Sequence, residues 1–305
     1  MEGGSRKAIV AAFAANAGIA VAKFVGFAFT GAASMLAEAV HSVADTSNQG
    51  LLLLGGRRAR RAPDEAHPFG HGRERYFWGF VVALVIFSLG SLFALIEGEE
   101  KLRHPHQLDS VGWAVAILGV AIVLEAFSFR TAVHESRAGK AEAGSWWNYI
   151  RKAKLPELPV VLLEDTGALI GLVFAMGGVL AAHYTGNARF DALGSIAIGL
   201  LLGAIAIILV VEMKSLLIGE AATPQQTEAI RAAIESDPKV SRVIHLRTQH
   251  LGPDELLVGA KVEFDGDLRF PDVAKAIDEV EVKIRAAVPT ARLIYIEPDV
   301  ARAPA

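Results

Sequence analysis

The sequence contains no cysteine. Disulfides and thiolate metal sites are therefore excluded, and any metal chemistry must use nitrogen and oxygen donors. A large excess of one charge is also missing. The formal net charge is −3, and no basic patch is interleaved with the few aromatics, 8% of residues. The net charge itself says little about nucleic acid, but without such a patch none is expected as a partner. No helical HExxH arrangement is present, so a metallohydrolase reading has no general base to rest on. No motif calls for an organic cofactor. The chain reads as something other than an enzyme.

What is there is apolar sequence, unevenly spread. Hydrophobic residues make up 52% of the chain. They cluster in six runs, at 8–30, 33–55, 77–99, 111–130, 158–183 and 191–211. Each reaches the length of about 20 residues that crosses a hydrocarbon core. The first follows Arg6 and Lys7, but it is too long for a signal peptide and lacks a convincing cleavage pattern, so it reads as a retained span. Positive charge sets the orientation. Arg57, Arg58, Arg60, Arg61, Arg73 and Arg75 follow span two, and Arg137, Lys140, Arg151, Lys152 and Lys154 follow span four. Lys101 and Arg103 after span three are a weaker signal the other way. Both termini and the 2–3 and 4–5 loops are thus expected on the cytoplasmic side.

After residue 211 the pattern becomes that of a soluble domain. TPQQTEAIRAAIES predicts a helix capped by Thr223 with proline first. VSRVIHLRTQHL and ELLVGAKVEFD predict strands, the second alternating Leu256, Val258, Ala260, Val262 and Phe264 on one face. PDVAKAIDEVEVKIRAAV predicts an amphipathic helix, and ARLIYIEP a last strand. The fold class is an all-α six-helix transmembrane bundle over residues 1–211. A small cytoplasmic α/β domain of order α-β-β-α-β follows over 212–305.

Inside span two, EAVHSVADTSNQG carries His41 and Asp45, four residues apart. A helix turns about 100° per residue, so the two stack on one face, with Asn48 within another turn. Ionisable groups at membrane depth are costly and mark ion or proton paths. The plainer reading is a pair that fastens helices together. A further acid weighs against it: Asp165 in span five lies about 9 Å in from residue 159, at about 1.5 Å per residue. Asp45 lies about 13 Å in from Leu54 on the same count. A neutral imidazole with two carboxylates suits a divalent first-row cation, zinc above all, and no alkali ion. Glu125 in span four reads either as a proton relay or as a helix–helix hydrogen bond.

Three stretches together carry a resemblance: SMLAEAVHSVADTSNQGLLLLG, PDEAHPFGHGRERYFWG and LLEDTGALIG. They resemble the cation diffusion facilitator family over essentially the whole chain, in wording nearest its zinc transporter nine-like branch. The resemblance implies metal/proton antiport by a homodimer with alternating access. It implies a transport site built from two pairs four apart, on spans two and five. His41 and Asp45 match the first pair and Asp165 the second member of the second pair. The first member falls on Val161, which cannot ligate. Glu164, Asn48 or water is left as the fourth ligand, Glu164 standing about 100° around the helix from Asp165. It would face the site only if span five rotated or unwound near Pro156 and Pro159.

In the loop after span two, Asp64, His67 and His71 match a pattern that binds metal in some members. Pro63, Pro68, Gly70 and Gly72 make that loop tight. Glu65 or Glu74 could substitute for Asp64, and the two histidines could instead brace the loop against span three. The positions that carry histidine in metal-binding C-terminal domains are Ile244, Ala260 and Tyr295 here, with only Glu297 retained. His245 and His250 fall on opposite faces of a strand and are expected at the surface. The domain is therefore read as a dimerisation element. The expected function is proton-coupled export of zinc, in contact with membrane lipid, in a bacterial inner membrane. Manganese, iron or cobalt export and a metal-gated receptor or channel are the alternatives.

Overall fold

Long runs of small and apolar residues without internal proline favour helix, because every backbone group is then satisfied within the segment. The computed structural model describes residues 17–105, 111–155 and 157–300, with a few side chains inside the helices left out. The start of the first expected span lies outside the described residues. In chain order the helices are α1 (Ala17–Thr30), α2 (Ala33–Arg58), α3 (Glu74–Arg103) and α4 (Val111–Ala143). A short α5 (Trp146–Lys152), α6 (Glu157–Thr185) and α7 (Arg189–Ile218) follow. Helix α3 contains a π-helical stretch, Val82–Phe87. By length and composition, α3, α4, α6 and α7 can each cross a membrane. Helix α2 has 26 residues but carries more polar groups.

Pro159 does not interrupt α6. It sits in the first turn, where its missing N–H has no intrahelical acceptor to lose. Gly31 and Gly186 end α1 and α6 with positive φ of 62° and 69°, a conformation that glycine adopts without strain.

The chain divides into two units. The first comprises the chain up to Arg57 together with Phe77–Lys214. Its core includes Met35, Val82, Phe87, Leu118, Leu172 and Leu202. Small residues let its helices approach closely. Ser91 donates to the carbonyl of Gly199 and Ser195 to that of Ala94, at 2.7 and 3.0 Å, joining α3 to α7. A Cβ on Gly178 of α6 would stand 3.0 Å from the carbonyl oxygen of Phe190 on α7. Large apolar side chains such as Trp113, Val120, Phe127, Leu200 and Ile207 point outward.

The second unit is Arg58–Tyr76 with the chain from Ser215 onward. It contains α8 (Pro224–Glu235), β1 (Val240–Gly252), β2 (Glu255–Phe264), α9 (Phe270–Ala287) and β3 (Ala291–Pro298). The order is the α-β-β-α-β that the periodicity predicts. Strand β2 is central, antiparallel to β1 and parallel to β3, with α9 as the crossover. Leu256, Val258, Ala260 and Val262 are buried on one face of β2 with Ile230, Ile234, Val280 and Ile284 of the helices. The side-chain period of two in a strand places them there. Thr223 caps α8 in a reciprocal box with Gln226. His250 departs from expectation. It is buried, not at the surface, because the end of β1 is covered by Glu220, whose carbonyl accepts the His250 N–H, and by Gly72, which packs on Leu251 and Gly252, while His245 is exposed.

Candidate metal centres

Helix α2 bears one polar face. At about 100° per residue, positions 38, 41, 42, 45 and 48 fall within about 120° of arc. His41 and Asp45 lie on this face, and their side chains are outside the described residues. Asn48 is fully buried, and its side-chain amide donates to Glu164 Oε2 of α6. Glu164 is itself 3% exposed. The other polar atom of Asn48, Oδ1, is buried and has no hydrogen-bond partner among the described residues. Such an atom is costly unless something supplies a partner, and it is an oxygen donor of the kind a cation accepts.

Asp165 turns elsewhere. Its Oδ2 accepts a 3.0 Å hydrogen bond from Ser128 of α4. Glu125, one turn earlier on α4, is buried nearby and within electrostatic reach of Asp165. Val161 packs with Ala132, Leu162 and Tyr149. The structure thus sets Glu164 against α2 without any unwinding of α6, and sets Val161 and Asp165 towards α4. Adjacent helical residues differ by about 100°, so they cannot both face one neighbour directly.

Sequence reasoning passed over Lys23 and Glu38. Lys23 of α1 is fully buried and donates to Glu38 Oε2 at 3.1 Å and to Ser42 Oγ at 2.7 Å, both on α2. A lone charge in an apolar run, as in AVAKFVGF and SMLAEAV, was the available signal. Ser128 gave none, since one hydroxyl in a span is ordinary.

The loop between α2 and α3 forms the second candidate centre. Asp64, His67 and His71 each offer a ligand atom, and these atoms lie within 4.8 Å of one another. Asp64 Oδ1 is 3.1 Å from His67 Nδ1, and Oδ2 is 3.1 Å from His71 Nε2. Oδ1 also accepts the backbone N–H of His67 at 2.7 Å. That backbone bond, helped by the two imidazoles, holds the Asp64 carboxyl below its ordinary value. Two ring nitrogens and a carboxylate oxygen fit zinc with one position left open. Backbone bonds between Asp64 and His67, and from Gly70 to His67, close the turn. Within the same unit, Gly72 packs on the backbone of Leu251 and Gly252, and Arg75 bonds Asp254 at 2.9 Å. These contacts set the loop on the β1–β2 turn. Glu65 and Glu74 do not join the cluster.

Buried acids on neighbouring helices of a membrane bundle mark an ion or proton path. Residues 9–218 match the family model described as cation efflux transmembrane domain, and 222–299 match that of the cation efflux protein cytoplasmic domain. The chain belongs to the cation efflux family and is a multi-pass integral membrane protein. It is 34% identical over 264 residues to the human protein named proton-coupled zinc antiporter SLC30A9, mitochondrial, covering 86% of this chain and 46% of that one. Metal tolerance protein C4 of Arabidopsis thaliana is 33% identical over 77% of this chain and 51% of its own. The cation-efflux pump FieF of Serratia proteamaculans is 27% identical over 96% and 92%. The chain spans about half the length of the first two relatives.

Proposed function

We propose that this protein exports a divalent metal cation, zinc first, in exchange for protons, working as a homodimer by alternating access. The contact between Asn48 and Glu164 carries the reading. It brings the helical face that bears His41 and Asp45 against Glu164 of α6. His41, Asp45 and Glu164 are the proposed transport ligands, with Asn48 orienting Glu164 or lending its own oxygen; Asp165, bonded to Ser128 of α4, would join them only if α6 turned. An imidazole with carboxylates suits zinc. The oxygen-rich balance that Glu164 adds also suits manganese, iron or cobalt. The names of the relatives, one a zinc antiporter and one a cation-efflux pump, favour the same function.

Metal ligands must be deprotonated, so protons compete with metal at such a site. A free imidazole titrates near about 6.5, within reach of ordinary pH gradients. Asp64, His67 and His71 are proposed to hold a second, loop-bound metal. The membrane is proposed to be the bacterial inner membrane, with six spans and both termini on the cytoplasmic side. The C-terminal unit serves dimerisation.

The test is uptake of zinc, manganese, iron and cobalt into proteoliposomes under an imposed pH gradient. The expected outcome is zinc uptake that follows the gradient and stops when an ionophore dissipates it. Zinc flux that ignores the proton gradient would favour a channel and sink the antiport reading.

A further inference from the structure

The transmembrane unit holds a charged cluster that the proposed ligand set does not use. Lys23 and Glu38 are both 0% exposed, and Lys23 also binds Ser42. Glu38 and Ser42 lie on the same face of α2 as His41 and Asp45, with Glu38 about one turn before His41. The second carboxylate oxygen of Glu38, Oε1, is buried without a hydrogen-bond partner among the described residues. It lies against Gly171 of α6, where a Cβ would come within 2.5 Å of it. Asn48 meets Glu164 and Glu38 meets Gly171, so α2 and α6 run antiparallel along one seam. Glu38 therefore stands in that seam, on the Ala33 side of His41 and Asp45. A cation leaving the ligands towards that end meets Glu38 next.

Packing alone does not require the pair. A buried ion pair holds a fold no better than apolar side chains of the same volume, and it costs desolvation. Gly171 lets Glu38 Oε1 come up against α6, where a Cβ would collide with it. Glu125 of α4, also buried, is within electrostatic reach of both Lys23 and Glu38. It offers the ammonium a second carboxylate to turn towards.

We infer that Lys23 and Glu38 form an ion-pair gate at the Ala33 end of the α2–α6 seam. The departing dication displaces the Lys23 ammonium from Glu38, and the ammonium returns once the metal has left. The inference rests on the transport reading above and adds two residues to it. Neither is a resident ligand; Glu38 receives the metal in passage and Lys23 closes behind it.

Two double variants of the full chain test it. Lys23→Met with Glu38→Gln keeps the shape and removes both charges. Lys23→Glu with Glu38→Lys keeps the pair but puts the cation on the ligand-bearing face of α2. A gate predicts that the neutral pair binds zinc in detergent within about threefold of wild type but transports it about tenfold slower or worse, at an unchanged half-saturating concentration. It predicts that the reversed pair does not transport. Either variant moving zinc within about threefold of wild type would overturn the gate and leave helix fastening as the role of the pair. A neutral pair that loses affinity in step with flux would make Glu38 a resident ligand, and one that fails to assemble would make the pair structural. Both outcomes overturn the gate. Wild-type flux in the same vesicles tests the transport reading, and the ratio of variant to wild type tests the gate.

Discussion

Glu164 and Asp165 are neighbours in sequence and belong to different neighbourhoods in space. Glu164 accepts from Asn48 of α2, and Asp165 accepts from Ser128 of α4. Glu164→Gln should therefore lower zinc affinity about tenfold or more, the scale on which partners of a metal centre are felt. Val161→His should gain little, because Val161 packs with Ala132 and Tyr149 rather than beside α2. Zinc titration of both variants, with His67 and His71 replaced by alanine, checks this. Tighter binding in Val161→His would move the site to the Asp165 face. Asp64 sets a second expectation at this scale. Its folded pKa lies below the ordinary 3.8. Its contribution to loop order is then fully present above the unfolded value and is lost only as pH falls through the depressed folded value. Asp64 should add no step to loop-zinc loading near neutral pH. Carbon-13 NMR of the Asp64 carboxyl should show a midpoint below 3.8, and a midpoint above it would contradict the geometry.

Helix α2 and the loop that follows it are continuous in sequence yet answer to different constraints. The polar face of α2 is buried against α1 and α6, whereas residues 58–76 belong with the β1–β2 turn. Gly72 fixes that second attachment. A Cβ there would stand 2.7 Å from the Leu251 carbonyl oxygen and 3.1 Å from Gly252 Cα, and backbone cannot swing aside as a flexible side chain can. Gly72→Ala should cost about 1–3 kcal/mol of local packing, as overpacked sites do. His71 is the next residue back, so loop zinc should bind more weakly although no ligand has changed. Zinc titration in an Asp45→Ala background, which removes the transport site, reads the loop alone. Unchanged loop affinity would mean that the turn does not position His71. The glycine-rich contacts of α3 with α7 and of α6 with α7 follow the same logic, small residues admitting backbone to backbone.

For the molecule as a whole, composition alone separated a membrane part from an α/β part. Apolar runs of about 20 residues leave backbone groups no choice but helix. Alternation in β2 and the Thr223 cap are local signals that the fold obeys, because strand period and capping act within a few residues. That positions 41 and 45 fall on one side of a helix was legible for the same reason, since α2 is helical throughout. What lies between elements was not. Whether α6 turns Glu164 or Asp165 towards α2 depends on how two helices pack, and a sequence fixes the 100° between the residues but not the phase of the helix. The burial of His250 depends on Glu220 and Gly72, both distant in sequence, covering the end of β1. The Lys23–Glu38 pair joins residues 15 apart on separate helices. Neither residue predicts its partner, since each is a lone charge until α1 and α2 meet. The sequence by itself determined elements, class and candidate ligands, because these rest on local chemistry. Only tertiary structure decided which neighbour each acid faces, because that follows from packing across helices.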